Sequence, residues 1–279
     1  VRVIGPSGYG KTRFAHQLIN QWSTSSSSVA EFDNSQTIYC IYDDVSDRLI
    51  NIVREIVDSG SPLLLIVDDC PETIHGRLHN IFIRSGSNGR LVTIGATSKS
   101  LSISKSITVR LEPAADDLIE SIARSVNEQL SQKSTSFVCE LSEGFPRMAV
   151  LSAEALTYQD QELSTVDSLI ERIIWGERQP DDTALKALQI LSLFSVVGME
   201  HEAKAELEKL AAVNEETYKC TYQSLKPFEE RGVISRQGDY GIVQPIPLAM
   251  RLAKGWIDDN PSGSLEMLFS AMIRIQNAF

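Results

Sequence analysis

The sequence predicts an α/β fold: a parallel sheet covered by helices, then an all-α helical domain, then a winged helix. Three observations predict it. Through residues 1–112, short apolar runs alternate with amphipathic stretches, the pattern of strand–helix–strand units. After Pro113 the strand pattern stops and helical periodicity continues alone. From Thr183 onward, three helical stretches precede two short apolar runs, and Gly238 and Asp239 between those runs suit a hairpin turn.

Strands are expected at residues 1–4, 37–42, 63–67, 91–96 and 106–111, with helices opening near Lys11, Ser46 and Glu72. The polar run 23–28 reads as a low-complexity loop. Helices are expected at 116–130, 137–141, 146–158 and 162–175, and the polar stretch 176–182, containing Pro180, marks a boundary. Helices at 184–194, 202–210 and 215–230 then lead to the apolar runs 232–236 and 240–243 and to a last helix at 247–257. The expected domains are thus 1–112, 113–180 and 181–260, with 261–279 starting a further helical region. No internal repeat is visible.

The chain has 279 residues, and at roughly 100–200 residues per domain this length fits two or three. Its 42% hydrophobic content excludes wholesale disorder. No apolar run approaches the roughly 18 residues of a membrane span. The four cysteines are dispersed without a CxxC pair, so neither a disulfide framework nor a zinc site is expected, and a reducing, cytoplasmic setting is. The chain opens at Val1 inside an expected strand, which reads as a segment of a longer protein. Charge is uneven: 11 basic and 11 acidic residues in 1–112, against 5 and 12 in 113–180. No segment carries the basic excess from which phosphate-backbone binding draws its affinity, so nucleic acid is a disfavoured partner.

The most specific motif is Gly5-Pro6-Ser7-Gly8-Tyr9-Gly10-Lys11-Thr12, which matches G-x-x-x-x-G-K-[ST] and lies between a strand and a helix. At average composition, chance would produce it in about one chain of this length in a hundred. Gly5 and Gly10 permit the turn that lets backbone N–H groups close around a β-phosphate at the positive end of a helix. Lys11 supplies a mobile charge to the β- and γ-phosphates, and Thr12 offers a hydroxyl to Mg2+. The candidate phosphate-binding set is Gly5, Ser7, Gly8, Tyr9, Gly10, Lys11, Thr12 and Arg13.

The second element is Leu63-Leu64-Leu65-Ile66-Val67-Asp68-Asp69, a buried strand ending in two carboxylates. In parallel sheets ligands collect at the carboxyl ends of strands, which places these acids beside the phosphates. Asp68 is the candidate Mg2+ residue, acting through water. Asp69, with Lys11, is the candidate catalytic residue, orienting or activating the attacking water. The fourth strand ends in Thr93-Ile94-Gly95-Ala96-Thr97, where Thr97 or Thr93 senses the γ-phosphate, or the strand simply ends polar.

Two further features complete a pattern: Leu111-Glu112-Pro113 closing the last strand, and Glu143-Gly144-Phe145-Pro146-Arg147-Met148-Ala149 opening a helix. With the phosphate loop, the LLLIVDD strand and the winged helix, the chain resembles the STAND class of P-loop NTPases, which includes NB-ARC and NACHT modules and bacterial antiviral sensors. The resemblance implies a P-loop NTPase sheet and places Pro146, with its neighbour Gly144, near the nucleotide base. It implies ATP/ADP and Mg2+ as ligands, slow ATP hydrolysis, and a switch whose exchange of ADP for ATP drives homo-oligomerisation. Sensor and effector would lie outside this segment, with antiviral defence or innate immunity as the setting. The chain departs from NB-ARC at the winged helix: Val243-Gln244-Pro245-Ile246-Pro247-Leu248 holds no His to reach a diphosphate, which leaves the locking contact open.

Other signals weigh less. His75 and His79 lie four apart but lack the Glu of HExxH, and read as a surface pair rather than a metal site. Residues 214–231, with four Glu against two Lys and one Arg, would repel a phosphate backbone. Arg77, Arg84, Arg90, Arg110 and Arg147 are all open as an arginine finger. No NKxD motif is present, which favours ATP over GTP. Two competing functions remain: an ATP-dependent transcription regulator with its winged helix on DNA, and a motor or loader of the AAA+ type.

Overall fold

The computed structural model describes residues 1–24, 36–85, 89–96, 106–157, 165–176, 178–261, 263–266 and 268–270. It divides into two compact units, Val1–Pro113 and Ala114–Phe279.

In the first unit, β1 (Arg2–Ile4), β2 (Thr37–Ile41), β3 (Leu64–Asp68), β4 (Arg90–Gly95) and β5 (Thr108–Arg110) form one sheet in the order β2-β3-β4-β1-β5. Every neighbouring pair is parallel, so β4 lies between β3 and β1 and all carboxyl ends share one edge. Helices α1 (Lys11–Thr24), α2 (Tyr42–Asp58) and α3 (Glu72–Ser85) cover the two faces. The period of two along a strand decides which side chain meets which helix. Val3, Leu64, Ile66, Val92 and Ile94 pack with Phe14 and Ala15 of α1. Leu65, Val67 and Leu91 face the other way, onto Leu49, Val53, Ile74 and Leu78 of α2 and α3.

Helix α2 begins at Tyr42, four residues earlier than expected, directly after β2. Asp43 and Asp44 lie in its first turn, where carboxylates favour the positive helix end. Of the run expected as a loop at 23–28, Ser23 and Thr24 are the last turn of α1, and the remainder lies outside the described residues.

The second unit opens with α4 (Asp116–Val126), α5 (Gln132–Ser142), α6 (Pro146–Ala155) and α7 (Val166–Trp175). Helix α5 is twice the expected length because Ser131 caps it, accepting from the Ser134 amide at 3.1 Å. Helix α8 (Asp182–Ser192) starts on Asp181, whose carboxylate accepts from the Thr183 and Ala184 amides. There follow β6 (Val197–Gly198), α9 (Lys204–Val213), α10 (Tyr218–Glu230), β7 (Ile234–Gln237), β8 (Tyr240–Val243) and α11 (Ile246–Asp259). Strands β7 and β8 form the expected hairpin, joined by β6 into an antiparallel sheet ordered β6-β8-β7. The two-residue β6 is too short to carry a period in sequence.

Arg231, just past α10, stitches α7 to the hairpin region. Its guanidinium donates to the Arg172 and Ile173 carbonyls at the end of α7, and Trp175 meets Phe228 edge-on. The terminal carbonyls of α7 thereby gain a cationic cap.

Candidate functional site

The glycine-rich loop joins β1 to α1 at the carboxyl edge of the sheet. Gly8 and Gly10 take φ of 88° and 80°, a region that L side chains rarely adopt. Nothing lies within 4 Å of a Cβ built on Gly10, so backbone conformation rather than crowding calls for glycine there. The first amides of α1 have no intrahelical acceptor, as at any helix start, and favour an anion. Lys11 folds back so that its Nζ donates to the Pro6 carbonyl at 3.0 Å. Burial lowers its pKa below the usual lysine value, while Asp69 and Asp68 pull it up.

Asp68 follows Leu64 and Ile66 on the α1 face of β3. Thr12, at the start of that helix, donates to Asp68 Oδ2 at 2.8 Å. The same oxygen accepts the Tyr39 hydroxyl at 2.8 Å, and Oδ1 accepts the Asp69 amide at 2.9 Å. Tyr39 carried no motif in the sequence. It stands on β2 opposite Ile66, two residues short of Asp68 and on the same face. Burial and the Asp68 carboxylate push its phenol pKa up, keeping it protonated. Hydroxyl and carboxylate oxygens are the donors Mg2+ prefers, so Thr12 and Asp68 fit that ion.

Asp69 is exposed beside this cluster and has φ of 49°. Asp tolerates that left-handed conformation better than most residues. Bonds on both sides hold the peptide: its own amide on Asp68, and beyond it the Cys70 amide on the Ile94 carbonyl at 2.8 Å. The Cys70 carbonyl in turn accepts from Arg2 at 3.2 Å. This crossing passes close over Gly95, where an added Cβ would meet the Arg2 guanidinium at 2.7 Å and the Cys70 oxygen at 3.0 Å.

Thr93 does not reach the side of the sheet that carries the glycine-rich loop's helix. It is fully buried on the opposite, α3 face of β4, because Val92 and Ile94 take the α1 face. Thr97 lies outside the described residues. The reading of His75 and His79 as a surface pair is also corrected: both are buried, at 1% and 8% exposure, because α3 packs them against the sheet. Arg2 donates to Thr93 Oγ1 at 3.4 Å, Thr93 Oγ1 meets His75 Nδ1 at 2.8 Å, and His75 Nε2 meets Ser106 Oγ at 3.0 Å. With the Thr93 hydroxyl donating a hydrogen bond to Nδ1, the imidazole is neutral and carries its hydrogen on Nε2.

Burial first, then Arg2 and His79, lower the His75 pKa from 6.5 to about 4. The unfolded chain therefore binds this proton first. The contribution is complete above the ordinary histidine pKa and is lost as pH falls towards the depressed one. At pH 5 the loss should be about 2 kcal/mol. Thermal midpoints of the protein and of His75→Gln, compared at pH 7 and pH 5, check this: the parent should lose more stability on acidification than the variant.

Gly144 and Pro146 belong to the second unit. Glu143, with φ of 48°, ends α5; the Gly144 carbonyl accepts the Ala114 amide at 2.8 Å; and Pro146 opens α6. Arg147 donates to the Gly232 carbonyl at 3.0 Å. Arg13 is exposed on α1. One ligand-spaced group among the described residues is Glu200, His201 and Asp239 near the hairpin. Its members are already engaged, Glu200 by Arg236 and Tyr222 and His201 by Asp239, so it reads as a polar network.

No protein-family profile matches the chain, and no curated protein matches it. A crystal structure of a signal transduction ATPase with numerous domains (STAND), with a tetratricopeptide repeat sensor, from Pyrococcus horikoshii, aligns over 98% of this chain at 14% identity and a TM-score of 0.41. The chain spans 45% of that protein's length. A likeness of this depth carries no functional argument. The chain's own geometry is that of an α/β fold whose parallel sheet brings the glycine-rich loop and the acidic strand end together at one edge.

Proposed function

We propose that the first unit binds ATP with Mg2+ and hydrolyses it slowly, as the nucleotide switch of a multidomain sensor. The observation that carries this reading is the 2.8 Å hydrogen bond from Thr12 to Asp68, which joins two sequence motifs 56 residues apart at one site. The loop amides and the start of α1 receive the phosphates, and Lys11 leaves the Pro6 carbonyl to neutralise the β- and γ-phosphate charge. Thr12 and Asp68 would hold Mg2+, which offsets charge developing on the phosphoryl oxygens. Asp69 accepts a hydrogen bond from the attacking water and orients it. Loss of the γ-phosphate alters the contacts of Asp69 and Lys11, a difference between two states that biases the rest of the chain.

On this reading ADP marks the resting state and ATP the active one, with self-association on activation of an effector carried elsewhere in the protein. Equilibrium binding of ATP and ADP, with and without Mg2+, tests the proposal together with single-turnover hydrolysis. Binding tightened by Mg2+ with slow turnover is expected. No binding at millimolar nucleotide overturns it.

A further inference from the structure

The second unit holds a concavity of its own. Where the ends of α6, α7 and α10 meet, a cleft of about 810 Å3 opens, within the size range of small-molecule sites. Two arginines brace its frame. Arg147 of α6 donates to the Gly232 carbonyl at 3.0 Å, and Arg231 donates to the Arg172 and Ile173 carbonyls of α7. The three helix ends are thus joined without help from a ligand, and the cleft is preformed. Half-buried Leu151 and Ala155, with the buried Ile173 and Trp175, give it an apolar wall.

Charge is distributed unevenly around this wall. Residues 113–180 carry 5 basic against 12 acidic residues, yet two of the five, Arg172 and Arg178, line the cleft beside Arg231. Glu154 and Glu230 are the acids among the described lining residues, which leaves an excess of one positive charge. Glu230 is engaged by Arg178 at 3.3 Å. Arg231 spends Nε and Nη2 on helix-end carbonyls, whose partial charge offsets only part of its own. Its Nη1 donates to no described residue. An added Cβ at Gly176 would collide with that Nη1, so the bare backbone there gives the guanidinium its place. Burial, and then Arg178, lower its pKa below the ordinary arginine value, and an anion bound beside it would oppose that shift. From this apolar wall beside an unspent guanidinium edge, we infer that the cleft binds a small organic monocarboxylate. The carboxylate bridges Arg231 Nη1 and the Arg178 guanidinium, and its apolar body lies along Leu151 and Ala155. A single negative charge matches the excess of one better than a phosphate dianion does. The inference goes beyond the nucleotide reading and does not depend on it.

2-Naphthoate serves as the probe, with 2-naphthol and acetate standing for its two halves. Calorimetry on the full chain is expected to give one site with Kd below about 1 mM for 2-naphthoate, and about tenfold weaker binding or less of either half. Arg178→Gln removes one partner of the carboxylate and is expected to weaken binding about tenfold. Ala155→Trp fills the cleft and is expected to abolish binding. Melting curves establish that each variant is folded. Arg178 is exposed, so its variant decides alone should Ala155→Trp fail to fold. No binding of 2-naphthoate at about 10 mM overturns the inference. So does binding that 2-naphthol matches, or that either folded variant leaves unchanged.

Discussion

Lys11→Ala abolishes ATP binding over the concentrations at which the unsubstituted protein saturates. In the structure the Lys11 ammonium bonds a loop carbonyl at 3.0 Å and lies within the field of Asp68 and Asp69. Its charge is therefore held at the site before any phosphate arrives. A charged hydrogen bond to phosphate contributes about 3 kcal/mol, on the order of a hundredfold in Kd, and little else in the loop carries a full positive charge. The loop fold depends on glycine conformations rather than on the ammonium, so the thermal midpoint should hardly move. Titration calorimetry with ATP and a melting curve separate the two effects. Unchanged affinity would remove the phosphate reading of the loop.

The second large effect is expected on turnover alone. Asp69→Asn keeps nucleotide affinity within about a factor of three and lowers hydrolysis by about a hundredfold, the usual range for losing a positioned general base. Asn is the informative replacement because it tolerates the left-handed backbone at position 69 as Asp does, whereas Ala would mix strain with chemistry. Binding by calorimetry and single-turnover release of phosphate measure the two quantities. Equal loss of both would reassign Asp69 to ligand binding.

Much of this site was legible because its two motifs are local. The glycine spacing and the run ending in paired aspartates each place their residues on a strand end, and a parallel sheet brings strand ends to one edge. What was not legible depends on facing. Whether residue 68 or 69 meets the loop helix turns on which face of β3 that helix covers, and no single segment carries that information. The same parity sends Thr93 away from the loop and into the interior with His75. Arg2 reads as one polar residue in an apolar strand, and its burial follows from α3 lying across β4. Tyr39 became visible only through the pairing of β2 with β3, a contact between segments 27 residues apart. Helix starts erred where their first residues decided them: Ser131 caps the longer α5, and Asp43 with Asp44, in the first turn of α2, favour a start directly after the strand.

The close passage over Gly95 sets how low the turn of Asp68 and Asp69 rides. A hydrogen at that position lets the Arg2 guanidinium and the Cys70 peptide lie almost on the sheet. A methyl group there would act as a spacer, lifting the turn and tilting both carboxylates away from the loop. The height of the two acids is thus set by the smallest residue of a neighbouring strand.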